Sequence, residues 1–367
     1  MSILIIHQSA DLYGSDKTLL EFVKYIKTRE DGVYVVLPCD GPLKKKLDEI
    51  NADVIILPII KLHRGIFKPK DFLILIKNLI ALPFRYSKII KDKKIQYIYS
   101  NTLAVMDGVI LKIINRKLKH SWHVHEILND LGIFNKIYGF LLRNFTDNVI
   151  VNSSATSNYI ENISNIKSDI VLNGVDVNIY KPQLKKEKLD KVVIGLVGRI
   201  NDWKGHLLLL KAMNETVCKE YNIKFVGSFV EGSKFKSQFL DAVNNHKYKD
   251  RIFIQEFSDS PHDVWGDIDI CVVPSIKPEP FGLVVIEAMA IGIPVIASDA
   301  GGPKEIISDG ITGSLFEIGN SKALAKKIDS LVISQELREI YEGNGIIRVN
   351  ELFTISKYNE LLYQKII

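Results

Sequence analysis

Residues 267–305 read DIDICVVPSIKPEPFGLVVIEAMAIGIPVIASDAGGPKE, and apolar runs alternate here with turn-forming residues. The run IDICVVPS is short and β-branched, which is typical of a buried parallel strand, and the two prolines that follow prevent its continuation. A helix-length segment, LVVIEAMAI, comes next and ends at Gly292, before a second apolar run, PVIASD. The pattern predicts a strand, loop, helix and strand, with the loop and the helix N-terminus at the carboxyl edge of the sheet, where phosphate binds.

Two glutamates flank the start of this helix. Glu279 stands in the loop, and Glu287 follows eight positions later, just over one turn inside the helix. Both carboxylates can face the same crevice, and a carboxylate is an acceptor suited to paired hydroxyls. The alternative is that Glu279 is a solvated loop residue and Glu287 is a surface helix residue. However, the apolar neighbours of Glu287 would make an unpaired carboxylate costly there.

This pattern of glutamate, seven residues and glutamate around a Pro-Phe-Gly turn resembles the signature of the family 4 glycosyltransferases. The resemblance implies an α/β protein of the GT-B fold, in which two Rossmann-like domains with parallel sheets face a central cleft. It also implies transfer of a sugar from a nucleotide donor with retention of configuration. Glu279 would contact the donor sugar hydroxyls and Glu287 the nucleotide ribose. The donor diphosphate would contact backbone N–H groups of Phe281, Gly282, Leu283 and Val284.

A second motif, VGRINDWKG, spans residues 197–205. It follows a β-branched run and precedes a leucine-rich helix, so its basic residues stand where a strand gives way to a helix. Arg199 can bind two phosphate oxygens, and Lys204 can place a point charge beside them. The alternative is that both are solvated residues of a turn. The arrangement resembles the diphosphate clamp of the same family, which makes Arg199 and Lys204 candidate catalytic and donor-binding residues.

The N-terminal residues SILIIHQ predict a strand, followed by a loop with Gly14 and an amphipathic helix. Gly14 is a single glycine rather than a G-x-G-x-x-G fingerprint, so the sequence gives little support to a bound NAD. In the resembled family a glycine at this position approaches the donor phosphates and sugar. The alternative for Gly14 is an ordinary turn before a helix.

The segment HSWHVHEIL, residues 120–128, carries three histidines. Strand spacing places His123 and His125 on one face and Glu126 on the other, an arrangement that forms no closed metal site without other ligands. The resemblance makes His125 the catalytic histidine that orients the donor sugar, and His123 is expected to be a packed strand residue. Asp267 and Asp269 form a D-x-D pair that could hold a metal, but these residues lead into a buried strand. No metal and no cofactor are therefore expected.

The length of 367 residues and a hydrophobic content of 47% fit two domains. We expect an acceptor domain over residues 1–180, a nucleotide-sugar domain over 190–345, and a C-terminal helix over 346–367 that returns to the first domain. The charged run 181–191 predicts the linker. Three cysteines without a CxxC pair disfavour a disulfide framework or zinc ribbon. The lack of an apolar span and of a signal-peptide n-region predicts a cytoplasmic protein.

Positive charge is concentrated in the first half. Residues 1–185 hold 26 Lys and Arg against 18 Asp and Glu, whereas the remainder holds 22 against 25. Residues 61–96 carry ten basic and two acidic residues among apolar ones. Such a segment predicts peripheral binding to an anionic membrane surface, and the equal alternative is a core helix with a lysine-rich face. Nucleic acid is a weaker choice, since no binding module is present.

These observations predict an enzyme that moves a hexosyl or deoxyhexosyl unit from a nucleotide diphosphate sugar, with UDP as the working choice. The acceptor is expected to be a saccharide on a lipid carrier, in the synthesis of O-antigen, capsule or exopolysaccharide. One alternative is a nucleotide-sugar 2-epimerase or a phosphorylase, although a phosphorylase would need a pyridoxal phosphate lysine and a longer chain. Another is a catalytically idle sugar-nucleotide-binding partner. Such a protein should lack one of Glu279, Arg199 and Lys204, all of which are present.

Overall fold

The short apolar runs of the sequence form two separate parallel sheets in the computed structural model. The structure describes residues 1–62, 69–128, 132–182, 191–230 and 232–367. The chain divides into unit 1, residues 1–173 with 356–367, and unit 2, residues 174–355. The division therefore comes before the charged run 181–191, of which residues 183–190 lie outside the described residues.

Unit 1 is built on a sheet whose seven described strands all pair in parallel, in the order β3-β2-β1-β4-β5-β6-β7. The strands are β1 Ser2–His7, β2 Gly32–Leu37, β3 Asp53–Ile56, β4 Tyr97–Asn101, β5 Lys119–Val124, β6 Asn148–Val151 and β7 Asp169–Ile170. The helices between them are α1 Gly14–Thr28, α2 Pro42–Glu49, α3 Pro69–Asp92, α4 Asp107–Ile114, α5 Ile133–Phe145 and α6 Ser154–Ser164. Ile3 to Ile6 of β1 are fully buried, as expected of a central parallel strand covered on both faces.

Unit 2 repeats this plan with six described strands, in the order β10-β9-β8-β11-β12-β13. The strands are β8 Val192–Val197, β9 Tyr221–Val226, β10 Ile252–Gln255, β11 Ile270–Val273, β12 Val295–Ser298 and β13 Ser314–Phe316. The helices are α7 His206–Glu215, α8 Phe235–Asn244, α9 Pro261–Trp265, α10 Leu283–Ile291, α11 Pro303–Ile306, α12 Ser321–Ile333 and α13 Gln335–Leu352. The segment that predicted a strand, loop, helix and strand thus forms β11, α10 and β12, and β8 lies beside β11.

The chain returns to unit 1 through the helix α14, Ile355–Ile366. Here the structure differs from the sequence prediction, which began the returning helix at residue 346. Residues 346–352 instead complete α13 in unit 2, and Phe353 and Thr354 break the helix. Two backbone hydrogen bonds, from Val175 N–H to the Phe353 carbonyl and from Ile355 N–H to the Val175 carbonyl, join the outgoing and returning segments, both at 2.9 Å.

Within the described residues, no helix has both the length and the apolar character needed to cross a membrane.

Candidate active site

Glu279 lies in the loop between β11 and α10 and is 5% exposed, so it is not the solvated residue of the alternative interpretation. Its Oε1 accepts two hydrogen bonds, from Lys204 Nζ at 2.6 Å and from Ser275 Oγ at 2.5 Å. Its Oε2 accepts no hydrogen bond from the described residues. A buried carboxylate needs such partners because burial without them is costly. One carboxylate oxygen is therefore held by the protein and the other is open to a ligand.

The Lys204 loop follows β8 and is tied to the Glu279 loop. Asn201 Oδ1 accepts from the backbone N–H groups of Trp203 and Lys204, at 3.2 and 3.0 Å, which closes the turn. The Trp203 carbonyl accepts from Ile276 N–H at 2.8 Å, and Lys204 Nζ lies 4.6 Å from the Trp203 ring centroid. These contacts direct the ammonium group toward Glu279. Arg199, two residues after the end of β8, is exposed.

A glycine pair packs directly against the Glu279 backbone. Gly301 pairs with Glu279 as a parallel bridge, and Gly302 N–H donates to the Glu279 carbonyl at 2.8 Å. A Cβ on Gly301 would lie 2.1 Å from the Glu279 carbonyl oxygen, and one on Gly302 would lie 2.2 Å from that of Phe281. The turn after β12 therefore determines the position of the Glu279 backbone, and only glycine fits at positions 301 and 302.

Helix α10 begins at the open side of this loop. Phe281 is buried, Gly282 is the N-cap, and Leu283 and Val284 form the half-buried first turn. No side chain of the described residues caps this end, so its first N–H groups are suited to an anion. Glu287 lies one turn further and its Oε1 accepts from the Tyr180 hydroxyl at 3.1 Å. Burial and the charge of Glu287 raise the pKa of Tyr180, which keeps the hydroxyl a donor.

Asp267 and Asp269 lie at the amino end of β11, whereas the Glu279 loop leaves its carboxyl end. Asp267 pairs with Lys224 Nζ at 2.6 Å, and Asp269 Oδ2 accepts from Val193 N–H at 2.8 Å. Both carboxylates thus contact residues of other strands of the sheet, Lys224 of β9 and Val193 of β8. Across the part of the chain that the structure describes, no group of three or more His, Cys, Asp or Glu residues is placed to hold a metal ion.

His125 follows β5 in unit 1 and belongs to a chain of hydrogen-bonded side chains that the sequence did not reveal. Asp16 Oδ1 lies 2.5 Å from His7 Nε2, His7 Nδ1 lies 3.0 Å from Asn101 Nδ2, and Asn101 Oδ1 lies 2.7 Å from His125 Nε2. We call Asp16, His7, Asn101 and His125 the Asp16 relay. It joins the carboxyl ends of β1, β4 and β5 to the first turn of α1, which Gly14 opens.

The neighbours of His125 have structural roles. His123 is fully buried, its Nδ1 is 2.6 Å from the Tyr99 hydroxyl, and its ring centroid is 3.9 Å from that of His125. The two rings share a face, as predicted. Glu126 Oε2 accepts from the N–H groups of Leu103 and His125, at 3.0 and 3.1 Å. Burial raises the pKa of Glu126. His120 contacts Ser100 and the Phe145 carbonyl, so the histidines do not converge on one point.

Comparisons with known proteins agree with this architecture. The sequence profile described as Glycosyltransferase Family 4 matches residues 13–179, and the profile described as Glycosyl transferases group 1 matches residues 179–348. The chain belongs to the family 4 glycosyltransferases. All the predicted site residues of this family member lie within the two matched ranges.

Relatives of this family member include enzymes named for bacterial surface polysaccharides. The capsular polysaccharide biosynthesis glycosyltransferase CapM of Staphylococcus aureus is 34% identical over 183 residues, which are 49% of this chain and 47% of CapM. The lipopolysaccharide core biosynthesis mannosyltransferase LpsB of Rhizobium meliloti is 27% identical over 232 residues, 59% of this chain and 64% of LpsB. The chain thus spans about half the length of CapM and under two thirds of LpsB.

Two solved structures show the fold of this family member over its whole length. Anabaena HepE, in complex with UDP and glucose, superposes with a TM-score of 0.84 at 22% identity and covers 99% of this chain and 98% of HepE. The lipopolysaccharide outer core galactosyltransferase WaaB superposes with a TM-score of 0.73 at 18% identity, with 100% of both chains covered. The prediction of a GT-B fold with two Rossmann-like domains is confirmed.

Proposed function

We propose that this chain is a retaining glycosyltransferase that moves a hexosyl or deoxyhexosyl unit from a nucleoside diphosphate sugar to a saccharide acceptor. The observation that carries the proposal is the Glu279 cluster at the start of α10. Lys204 and Ser275 hold one carboxylate oxygen in place, and the second oxygen is available to sugar hydroxyls.

The chemical difficulty is the departure of an anionic diphosphate. Arg199, Lys204 and the N–H groups at the start of α10 supply positive charge and hydrogen-bond donors for it. Glu279 would fix the donor sugar and Glu287 the ribose, so that the reacting atoms are aligned. His125 and Gly14 of unit 1 are proposed to contact the sugar and the phosphates. The acceptor hydroxyl attacks the face that the diphosphate leaves, and a donor phosphate oxygen takes its proton.

The proposal is tested by offering UDP-, GDP- and dTDP-sugars to the purified protein without an acceptor. We expect slow release of the free sugar from one nucleotide class, with the anomeric configuration of the donor retained in the first product seen by NMR. UDP is our choice, supported by the complex of HepE with UDP and glucose. Release from none of the three donors would contradict the proposal, and a C2-epimerised nucleotide sugar would indicate the epimerase instead.

The acceptor is proposed to be a saccharide on a lipid carrier, reached from the surface of an anionic membrane. The names of the relatives, for capsule and lipopolysaccharide synthesis, support this acceptor class. Helix α3 adds a physical argument, because large apolar side chains of this helix are exposed: Leu73 is 67% exposed, Ile80 65% and Phe84 78%. These three residues lie on one face of the helix, at intervals of seven and four. Residues 63–68 of the basic segment lie outside the described residues.

Flotation with phosphatidylglycerol vesicles tests this docking. The wild-type protein should float at low salt and be released at high salt, because about 1 kcal/mol for each basic residue near an anionic surface is screened by salt. Replacing Leu73, Ile80 and Phe84 together by Ser should abolish flotation. The matched control replaces Val217 and Ile333 by Ser, since both are exposed and apolar but belong to unit 2. If the wild-type protein fails to float at low salt, a soluble acceptor becomes the better proposal.

A further inference from the structure

The direction of every hydrogen bond in the Asp16 relay follows from two acceptors, the Asp16 carboxylate and the Ser15 carbonyl oxygen. A carboxylate only accepts, so His7 donates its Nε2–H to Asp16. Asn101 Nδ2 faces both His7 Nδ1, at 3.0 Å, and the Ser15 carbonyl oxygen, at 3.5 Å. Because a carbonyl oxygen cannot donate, this side of the amide is the NH₂ group. His7 Nδ1 therefore accepts and carries no proton.

The same logic continues to His125. Since the NH₂ group of Asn101 faces His7, its Oδ1 faces His125 Nε2 at 2.7 Å and must accept from it. His125 Nε2 thus carries the proton, and Nδ1 has a lone pair. Nδ1 has no hydrogen-bond partner among the described residues, and His125 is partly exposed. Burial lowers the pKa of His125 to about 3, so the ring stays neutral.

The backbone beside Asn101 is held in an unusual conformation. Thr102 has a φ of 90°, which is rare and strained for a β-branched residue. Its N–H donates to the His123 carbonyl at 2.9 Å, and its carbonyl accepts from Trp122 Nε1 at 2.8 Å. The neighbouring strand β5 therefore clamps the residue that follows Asn101. This fixes the middle of the relay without help from a ligand.

We propose that the Asp16 relay holds His125 as the neutral Nε2–H tautomer, so that Nδ1 accepts a hydrogen bond from a saccharide hydroxyl. Asp16, His7 and Asn101 are then positioning residues, and His125 is an acceptor rather than an acid. The tautomer is a property of the free protein. Only the identity of the hydroxyl rests on the proposed function.

The tautomer is measured on the full-length protein labelled with ¹⁵N-histidine, through long-range ¹H–¹⁵N correlations at neutral pH. The His125 signals are assigned by their loss in His125→Gln. We expect a protonated Nε2 and an unprotonated Nδ1. In Asp16→Asn the amide oxygen must still accept from Tyr13 N–H, which Asp16 Oδ2 now does at 2.8 Å. The new NH₂ group then faces His7, so Nε2 of His7 must accept and its Nδ1 carries the proton. Asn101 turns its amide over to accept from His7 Nδ1 and gives up its long 3.5 Å contact with the Ser15 carbonyl, so the proton of His125 should move to Nδ1 of that ring. Asp11→Asn, an exposed carboxylate in the same loop, is the matched control and should leave the spectrum unchanged.

The second readout is donor turnover. Asp16→Asn should lower kcat at least tenfold at an unchanged melting temperature, and Asp11→Asn should not. Protonated Nδ1 in the wild-type protein, or protonated Nε2 in Asp16→Asn, would overturn the relay. A reversed tautomer with full turnover would overturn the role of Nδ1 as acceptor. If the wild-type protein turns over no nucleotide sugar, the proposed function fails, while the nitrogen spectra still decide the relay.

Discussion

Lys204 and Glu279 form a nearly buried ion pair, and both are proposed to bind the donor. Lys204→Ala leaves a nearly buried carboxylate without its cation, so we expect the free energy of unfolding to fall by about 2 kcal/mol, less than for a fully buried pair because Lys204 is 18% exposed. Adding Glu279→Gln to this variant should recover part of the loss in urea denaturation. An unchanged unfolding free energy in Lys204→Ala would contradict the pairing.

Arg199 provides the comparison, because it is exposed and lies in the same loop as Lys204, between β8 and α7. In Arg199→Ala we expect kcat/KM for the donor to fall by the equivalent of about 2 to 4 kcal/mol, the loss of a charged partner in a desolvated site, at an unchanged melting temperature. Lys322→Ala, an exposed cation on α12, should affect neither. Full activity in Arg199→Ala would remove this residue from the donor site.

At the residue scale, the sequence singled out candidate site residues but not the side chains that contact them. The motifs pointed to Glu279, Lys204 and His125. They predicted that Lys204 binds a phosphate, but they did not predict its ion pair with Glu279. His7 and Asn101 are 94 positions apart, and they meet because β1 and β4 are neighbours in the sheet. A pairing of this kind depends on strand order, which local pattern does not contain. Tyr180 is 107 positions from Glu287 and was missed for the same reason, whereas Ser275 is only four positions from Glu279, and its contact depends on the conformation of the loop that they share.

At the scale of elements, the turn after β12 determines where the Glu279 loop lies. Gly301→Ala would place a Cβ within 2.1 Å of the Glu279 carbonyl oxygen, so the loop must shift and donor turnover should fall at least tenfold. Gly310→Ala is the matched control, since Gly310 has a φ of 75°, close to the 69° of Gly301, but open space around it. It should cost only the conformational penalty of about 1 kcal/mol. Equal activities of the two variants would exclude a positioning role for this contact.

Asp107 joins three elements of unit 1 through a buried carboxylate. It begins α4, accepts from the Tyr86 hydroxyl of α3 at 2.7 Å, and accepts from Ile60 N–H at 2.8 Å. Burial raises its pKa to about 6. The folded state therefore favours the protonated carboxyl, so the contribution of Asp107 to stability is greatest at low pH and falls as the pH rises through about 6.

Relative to Asp107→Asn, the wild-type protein should lose about 2 kcal/mol of unfolding free energy as the pH rises from about 4 to about 7. The variant keeps both contacts, because an amide oxygen can accept from Ile60 N–H and a tyrosine hydroxyl can accept from an NH₂ group. Urea denaturation of both proteins across this pH range gives the difference. A difference that is constant with pH would show that Asp107 stays ionised when buried.

At the scale of the whole molecule, the alternation of short apolar runs with helix-length segments was enough to predict two Rossmann-like domains. Each βα unit is a local pattern, and parallel strands buried on both faces have few other arrangements. The boundaries between the units were not predictable in the same way. Charge density pointed to the run 181–191, whereas the division falls at Gly174, where the Val175 backbone bonds with residues almost 180 positions later.

The proposed reaction needs positive charge to compensate the diphosphate as it leaves. Asp267 and Asp269 are occupied at the amino end of β11, so the proposed compensation of the diphosphate comes from Arg199, Lys204 and α10. We therefore expect donor turnover to survive dialysis against EDTA. Loss of turnover that is restored by Mn²⁺ or Mg²⁺, but not by Ca²⁺, would show that a divalent cation takes part.

The position of α14 has a consequence for how the chain folds as it is made. Unit 2 is one continuous stretch, but unit 1 includes residues 356–367, which are synthesised after all of unit 2. Tyr358 and Leu362 of α14 are almost completely buried in the completed unit. Until they emerge from the ribosome, the nascent first half has an uncovered apolar surface, although domains usually fold in the order of their synthesis. Unit 2 is thus the first part of this chain able to reach its final structure during translation.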